Sequence, residues 1–243
     1  MLNIFYGREN IDKERFIYEQ IAGSQKRTLV IVPDQYTLEA EKQAFRFLQV
    51  QGLIDVEVVS MSRLGFKLLA EQGGGQKTFI DKYGRHMLLS QITSKFEEEL
   101  QVFKDTRRKN SFIEMTNNFI SEMKQYNIVP EDLAQLAENL EDDSLLKKKL
   151  SDLQLIFGEY EKRIAGKYTD SEDYISLYTE KISSSALVKG ADIWVYGFDS
   201  FAPKSLDVLG HLMASAENVN VFLTYDQNCR DEEIFQLTGI VME

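Results

Sequence analysis

The chain has 243 residues, of which 43% are hydrophobic and 11% aromatic, enough for one large domain or a domain with a substantial insertion. Its single cysteine, Cys229, excludes an internal disulfide framework and a cysteine-ligated metal or iron-sulfur cluster within this stretch. The net charge of -11 argues against a protein that coats DNA through a basic surface, although a local nucleic-acid channel is compatible with it. Because no apolar run approaches the roughly 20 residues of a membrane helix, we expect a soluble, cytoplasmic protein without a signal peptide.

Five short apolar runs alternate with helical patterns along the chain. They span residues 3–6, 29–32, 56–59, 193–196 and 219–223. A continuous apolar run between turn signals predicts a parallel strand that is buried on both faces. Strands that alternate with helices predict an α/β fold with an open, doubly wound parallel sheet and right-handed crossovers. Ligands bind such sheets beyond the carboxyl ends of the strands, so the loops that follow each run hold the candidate site.

The first run is followed by Gly7 and then by Lys13, at the expected start of a helix. A phosphate-binding loop needs a second glycine before this lysine, so that backbone N–H groups can wrap phosphate oxygens, and a Ser or Thr after it to hold magnesium. Asp12 and Glu14 stand at those two places. A degenerate nucleotide site at Gly7 and Lys13 therefore competes with a simpler interpretation, a helix start with acidic residues in its first turn.

The loops after the second and third runs are polar. Gln35 and Thr37 follow the second run, and Thr37 can also serve as the N-cap of a helix that buries Leu38, Ala44, Phe45 and Leu48. Arg63 follows the third run, where its guanidinium can contact a ligand, cap a helix or lie in solvent. Gln35 has no equally obvious structural role, which makes it the stronger candidate for ligand contact.

Between residues 84 and 188 the strand signal stops, and apolar residues recur at the three- and four-residue spacing of helices. Pro130 suits a first helical turn, and Thr169 or Asp170 can cap a further helix. We interpret 84–188 as a helical subdomain inserted into an α/β domain made of 1–83 and 189–243. Its two apolar stripes, predicted to be helix-packing core, are Phe112, Met115, Phe119, Met123 and Tyr126, and Leu145, Leu146, Leu150, Leu153, Phe157, Tyr160 and Ile164.

Four short motifs occur in a fixed order along the chain. They are residues 29–37, residues 58–64, the sequence Ser171-Glu-Asp-Tyr174, and residues 196–203. With the helical block between them, they resemble the N-terminal region of the AddB/RexB subunit of the bacterial AddAB helicase-nuclease, and the resemblance runs over nearly the whole chain. It implies a P-loop, RecA-like fold of the superfamily 1 helicase type, with the helical insertion as an accessory subdomain.

The resemblance also bears on catalysis. In active relatives the fourth strand ends in an Asp-Glu pair that holds magnesium and polarises water. The corresponding places here are Tyr196 and Gly197. Together with Asp12 and Glu14, this departure predicts no ATP hydrolysis, no catalytic residue and no cofactor in this stretch, and ATP with magnesium belongs to the alternative of a working P-loop ATPase.

The implied role of the family is to guide single-stranded DNA from double-stranded ends and to recognise the Chi hotspot during double-strand break repair by homologous recombination. An AddA-type partner subunit drives translocation in a heterodimer. Amide, hydroxyl and guanidinium groups can read base edges, and Phe or Met surfaces can stack on bases. Carried over by motif, the residues that contact the strand are Gln35, Thr37, Met61, Arg63, Phe66 and Phe201.

Three further expectations complete this interpretation. Phe66 and Phe201, taken without the resemblance, fit a hydrophobic core equally well. Full-length family chains add a second helicase-like domain and a nuclease domain with an iron-sulfur cluster, which we expect outside this stretch. A pure assembly scaffold, which the acidic composition suits, is the third interpretation beside the DNA-guiding domain and the ATPase.

Overall fold

The computed structural model describes residues 1–8, 10–24, 26–48, 55–73, 78–105, 109–226, 235 and 238–239, and Cys229 lies outside them. The chain forms two compact units, one of residues 1–74 and 177–243 and one of residues 75–176. The second unit differs from the predicted insertion of 84–188 at both ends. It starts earlier because a short strand near residue 78 pairs with one near residue 168, and the segment around the buried residues Ile182 and Val188 belongs to the first unit.

Within the described residues there are seven strands and nine α-helices. The strands are β1 (Leu2–Gly7), β2 (Thr28–Ile31), β3 (Val56–Val59), β4 (Thr78–Phe79), β5 (Tyr168–Thr169), β6 (Asp192–Tyr196) and β7 (Asn218–Thr224). The helices are α1 (Lys13–Ala22), α2 (Thr37–Leu48), α3 (Met61–Gln72), α4 (Lys82–Lys95), α5 (Asn110–Gln125), α6 (Pro130–Glu138), α7 (Leu145–Ile164), α8 (Ser171–Thr179) and α9 (Pro203–Ser215). Short 3-10 turns span Asp34–Tyr36 and Ile182–Ser184. No helix in this part of the chain is long and apolar enough to cross a membrane.

The first unit is built on a parallel sheet with the strand order β1-β7-β6-β2-β3. The five predicted strands are all present, and the predicted α/β class with a parallel central sheet is confirmed. The chain runs outward from β2 to β3, then returns to β6 on the other side of β2 and continues to β7.

The inner strands β2, β6 and β7 are buried on both faces, as their continuous apolar runs predict. The same prediction is wrong for β1, which lies at one end of the strand order and exposes alternate side chains. Val30, Trp194 and Phe222 point to the face that α1 and α2 cover. Leu29 and Ile193 alternate with them and are equally inaccessible, so they point to the opposite face.

Helix α2 turns a different face to the core than its apolar residues predict. Leu38 is 63% and Phe45 43% exposed, so the expectation that both are buried is wrong. The inward residues are Ala40 and Ala44, whose small side chains let α2 approach α1 closely. The Tyr18 hydroxyl donates to the Ala40 carbonyl at 2.9 Å, which fixes this face against the core.

The second unit has a helical core of its own. Helices α4, α5, α6 and α7 contribute Leu89, Ile120, Leu133, Phe157 and Tyr160, among other buried residues. Four residues of the predicted stripes are exposed, so the prediction that they belong to the core is wrong for Met115, Tyr126, Leu145 and Leu146. Each lies near a helix end or on the outer side of its helix, where no neighbouring helix among the described residues completes the contact.

A buried ionic cluster joins α5 and α7 to the start of α8. The Lys124 ammonium lies 2.7 Å from Asp170 Oδ2, and the two side chains are 6% and 0% exposed. The Tyr160 hydroxyl donates to the same carboxylate at 3.0 Å. Burial by itself would raise the pKa of Asp170, but the charge and hydrogen bond of Lys124, the Asp173 backbone N–H and the Arg85 charge together hold that pKa below its ordinary value.

A second buried pair explains the motif at 171–174. Glu172 lies 3.1 Å from the Arg85 guanidinium, and both side chains are almost inaccessible. Asp170 Oδ1 accepts the backbone N–H of Asp173 at 2.9 Å, so Asp170 caps α8 as predicted. The acidic side chains of this motif therefore form ion pairs within the helical unit and stabilise that unit.

Candidate nucleic-acid interface

The loops that follow β1, β2, β3, β6 and β7 lie at one edge of the first unit, because these strands are all parallel. The chain leaves β2 toward β3 and leaves β6 toward β7, in opposite directions. The crevice between the ends of β2 and β6 is therefore a topological switch point, where open α/β sheets bind ligands. We call this side of the unit the carboxyl edge.

After β2 the chain forms the 3-10 turn Asp34–Tyr36 and passes directly into α2. Gln35 is exposed on this turn. Thr37 is buried, and its hydroxyl donates to the Asp34 carbonyl at 3.0 Å. Thr37 is thus the first residue of α2 rather than its N-cap, and it holds the turn that presents Gln35.

The loop after β3 is tied to this turn by hydrogen bonds. Ser60 caps α3 by accepting the backbone N–H of Arg63 at 3.2 Å. The Ser62 hydroxyl donates to Asp34 Oδ1 at 2.5 Å and lies 3.0 Å from the Ser60 hydroxyl. The two loops therefore form one connected surface, with Met61 half-buried at the start of α3.

Arg63 and Phe66 lie on the outer side of α3. Phe66 is 61% exposed, which places it outside the hydrophobic core. The Arg63 guanidinium Nη1 lies 3.4 Å from Glu41 Oε1 of α2, so it is a partnered surface residue. It occupies the first turn of α3 and does not cap a helix C-terminus.

The loop after β6 approaches the β2 loop. Gly197 has a φ of +83°, and a Cβ built on it would lie 3.3 Å from Pro33 Cδ. Phe201 is half-buried, and its ring lies 5.1 Å from the Phe198 ring, centroid to centroid. The structure thus brings the loops that carry Gln35, Arg63 and Phe201 to the same edge.

Tyr196, at the end of β6, is turned into the core. Its hydroxyl lies 3.4 Å from the Tyr18 hydroxyl, and neither side chain is accessible. Burial raises the pKa of Tyr196 well above its ordinary value and that of Tyr18 to about 12. The described end of β6 therefore carries a neutral, buried phenol.

In the loop after β1, an acidic side chain caps the N-terminus of α1. Asp12 is the N-cap of α1, and its carboxylate accepts the backbone N–H of Arg15 at 3.0 Å. A Cβ on Gly7 would overlap the Ile11 side chain, so this loop folds tightly over the strand end. Lys13 is the first residue of α1. The helix N-terminus, where a phosphate would bind, is thus occupied by a carboxylate of the chain itself.

A cavity of about 270 Å³ lies at the opposite end of the strands, beside Arg27 and Lys67. Its charged groups are engaged within the protein. Glu71 accepts the backbone N–H of Ala186 at 2.7 Å, and Lys67 pairs with Glu57. The carboxyl edge therefore remains the candidate interface.

Comparison with known proteins establishes the family. The family model described as ADDB, N-terminal, matches residues 4–242 of the chain. This chain belongs to that family. The match reaches every strand of the sheet and includes the whole helical unit.

Its relatives are named as one subunit, designated B, of an ATP-dependent helicase/deoxyribonuclease. The protein from Acetivibrio thermocellus is 35% identical over 242 residues, which cover 96% of this chain and 21% of that protein. The protein from Bacillus mycoides is 37% identical over 218 residues, 87% of this chain and 19% of its own length. The protein from Bacillus cereus strain AH187 is 36% identical over 215 residues, which cover 86% of this chain and 18% of that protein. The chain thus spans about one fifth of the length of these relatives.

Sequence reasoning missed four side chains that shape the carboxyl edge, Ser60, Ser62, Asp34 and Glu41. Ser62 and Asp34 join two loops, and Glu41 pairs with Arg63. Ser60 was detectable, because a serine three residues before Arg63 is an N-cap pattern. The other contacts link segments that are distant in sequence, so no local pattern could predict them.

Proposed function

We propose that this chain is a helicase-like, DNA-guiding region of an AddB-type subunit that acts with an AddA-type partner in double-strand break repair by homologous recombination. In this proposal the first unit is a RecA-like P-loop domain of the superfamily 1 type, and the helical unit is its insertion between β3 and β6. The region holds single-stranded DNA and contributes to Chi recognition, and it does not hydrolyse ATP. The names of the relatives support the helicase-nuclease context.

The observation that carries the proposal is the assembly of Gln35, Arg63 and Phe66 at one switch-point edge, with side chains accessible to a ligand. An amide and a guanidinium can each form paired hydrogen bonds with base edges. Aromatic and thioether surfaces such as Phe66, Phe201 and Met61 can stack on bases of any sequence. Thr37 supports the site by holding the β2 turn, since its hydroxyl is engaged with Asp34.

The proposed lack of ATP hydrolysis rests on both ends of the nucleotide position. Asp12 occupies the N-terminus of α1, and Tyr196 is a buried phenol at the end of β6. Gly197 supplies no side chain for a metal. These residues do not fit a magnesium-bound nucleoside triphosphate, so no hydrolytic step is assigned to them.

The decisive experiment uses the full-length protein in complex with its AddA-type partner. Labelled single-stranded DNA is titrated with and without a Chi sequence, and unwinding is followed in parallel. Arg63→Ala should lose about 1–3 kcal/mol of Chi-specific binding and keep unwinding and degradation. Phe201→Ala should weaken engagement evenly across sequences, because stacking tolerates any base. Lys42→Ala, on the outer side of α2, is the matched control and should behave as the parent.

A normal Chi response from the Arg63→Ala complex would refute the recognition role and favour the assembly scaffold. ATP turnover is tested separately on this chain. Magnesium-dependent turnover that Lys13→Ala abolishes would replace the proposal with a working ATPase.

A further inference from the structure

Arg63 stands where a helix does not favour a cation. It is the third residue of α3, in the first turn, and its backbone N–H donates to the Ser60 hydroxyl. The N-terminus of a helix carries a partial positive charge, so a guanidinium there is disfavoured. A residue that conflicts with a local preference is a candidate for a functional role, and a neighbouring side chain compensates for this conflict.

The compensating group is Glu41. Its Oε1 lies 3.4 Å from Arg63 Nη1, and the side chains are 38% and 56% exposed. The adjoining segment 33–41 carries three acidic residues, Asp34, Glu39 and Glu41, and no basic one, whereas Arg63 is the only charged residue of 60–66. The neighbouring cations Lys42 and Lys67 pair with Glu39 and Glu57, so Glu41 is the carboxylate that pairs with the Arg63 guanidinium.

We propose that Glu41 is a specificity-determining residue of the carboxyl edge, because it cancels the charge of Arg63 and so restricts its contacts to base edges rather than phosphates. The inference rests on the proposed function and deepens it. A free guanidinium would bind any strand through its phosphates, releasing counterions at every sequence. A guanidinium that is paired through one nitrogen keeps further N–H donors for a base such as guanine, whose O6 and N7 both accept.

The test uses the full-length protein in complex with its AddA-type partner, without ATP or magnesium, and two fluorescein-labelled 12-nucleotide probes, oligo(dT) and a strand of alternating dG and dT. Affinities are measured by anisotropy from 50 to 200 mM NaCl. Glu41→Gln keeps the side-chain shape and removes its charge. One additional phosphate contact on a single strand steepens the salt dependence by about 0.7 in log–log slope, so the loss of affinity across this salt range should grow by about 2.6-fold. The preference for the dG-containing strand over oligo(dT) should fall.

Two variants separate this role from a general charge effect. Glu39→Gln removes the same charge from the same helix, where the carboxylate accepts a hydrogen bond from Gln43, and it should keep the parent slope and preference. Glu41→Gln with Arg63→Gln removes the freed cation and should return the salt slope to the parent value.

Three results would overturn the inference. Glu41→Gln could retain the parent slope and preference, or Glu39→Gln could change them equally. The double variant could also keep the steeper slope of Glu41→Gln. In each of these cases, binding of the DNA probes by the unsubstituted protein would still agree with the proposed function. Failure of the parent to bind either probe would instead overturn the proposed function and this inference together.

Discussion

Replacing Lys124 by Met tests the buried ionic cluster of the helical unit. The substitution keeps most of the side-chain volume and removes the ammonium 2.7 Å from Asp170. Asp170 is fully inaccessible and would keep the Tyr160 hydroxyl and the Asp173 backbone N–H as donors. Its charge would then lie in the protein interior without the adjacent counter-charge that offsets its lost hydration.

Removing one partner of a buried ion pair costs about 3–5 kcal/mol. With a urea dependence of about 2 kcal/mol per molar, the midpoint of unfolding should fall by about 2 M. Most of this loss comes from the uncompensated carboxylate. Lys124→Met combined with Asp170→Asn should therefore be less destabilised than the sum of the single variants.

Far-UV circular dichroism in urea measures these midpoints. Lys82→Met is the matched control, because Lys82 pairs with Glu114 at 2.8 Å on the exposed surface of the same unit and such pairs contribute little. If Lys124→Met has the same midpoint as this control, the buried cluster contributes no more free energy than a solvated pair, contrary to the expected loss.

Three further predictions concern pH and backbone geometry. Because the pKa of Asp170 is lowered in the folded protein, its carboxylate contributes fully to the free energy of unfolding above about pH 4, and this contribution is lost as the pH falls through the lowered pKa. The urea midpoint of Asp170→Asn should therefore depend less steeply on pH in acid than that of the parent. Tyr18 has its pKa raised to about 12, so its stabilisation is complete below about pH 10 and is lost as the pH rises toward the folded value. Tyr18→Phe should make the alkaline part of the stability curve flatter, and an unchanged curve would contradict this assignment. Gly197→Ala should lower the free energy of unfolding by about 1–2 kcal/mol, because the φ of +83° at this position disfavours a Cβ. The fluorescence of Trp194, the single tryptophan, follows the unfolding of β6. Gly210→Ala in α9 is the control.

Secondary structure was largely predictable because its signals are local. The strands at 56–59 and 193–196 appear within a residue of their predicted bounds, because β-branched and aromatic residues between turn signals favour a short strand. Periodicity was less reliable for burial. Leu38 and Phe45 are apolar and yet exposed, because α1 packs against the alanine face of α2.

The sequence by itself determined the α/β class and the edge at which the candidate loops meet. These follow from local patterns and from the fact that loops after parallel strands share an edge. Only the tertiary structure decided which side chains of those loops are available. It buried Thr37 against Asp34, turned Tyr196 into the core and paired Arg63 with Glu41. Each of these outcomes depends on a contact between atoms whose positions are set by packing and chain crossover, which no local pattern of residues encodes.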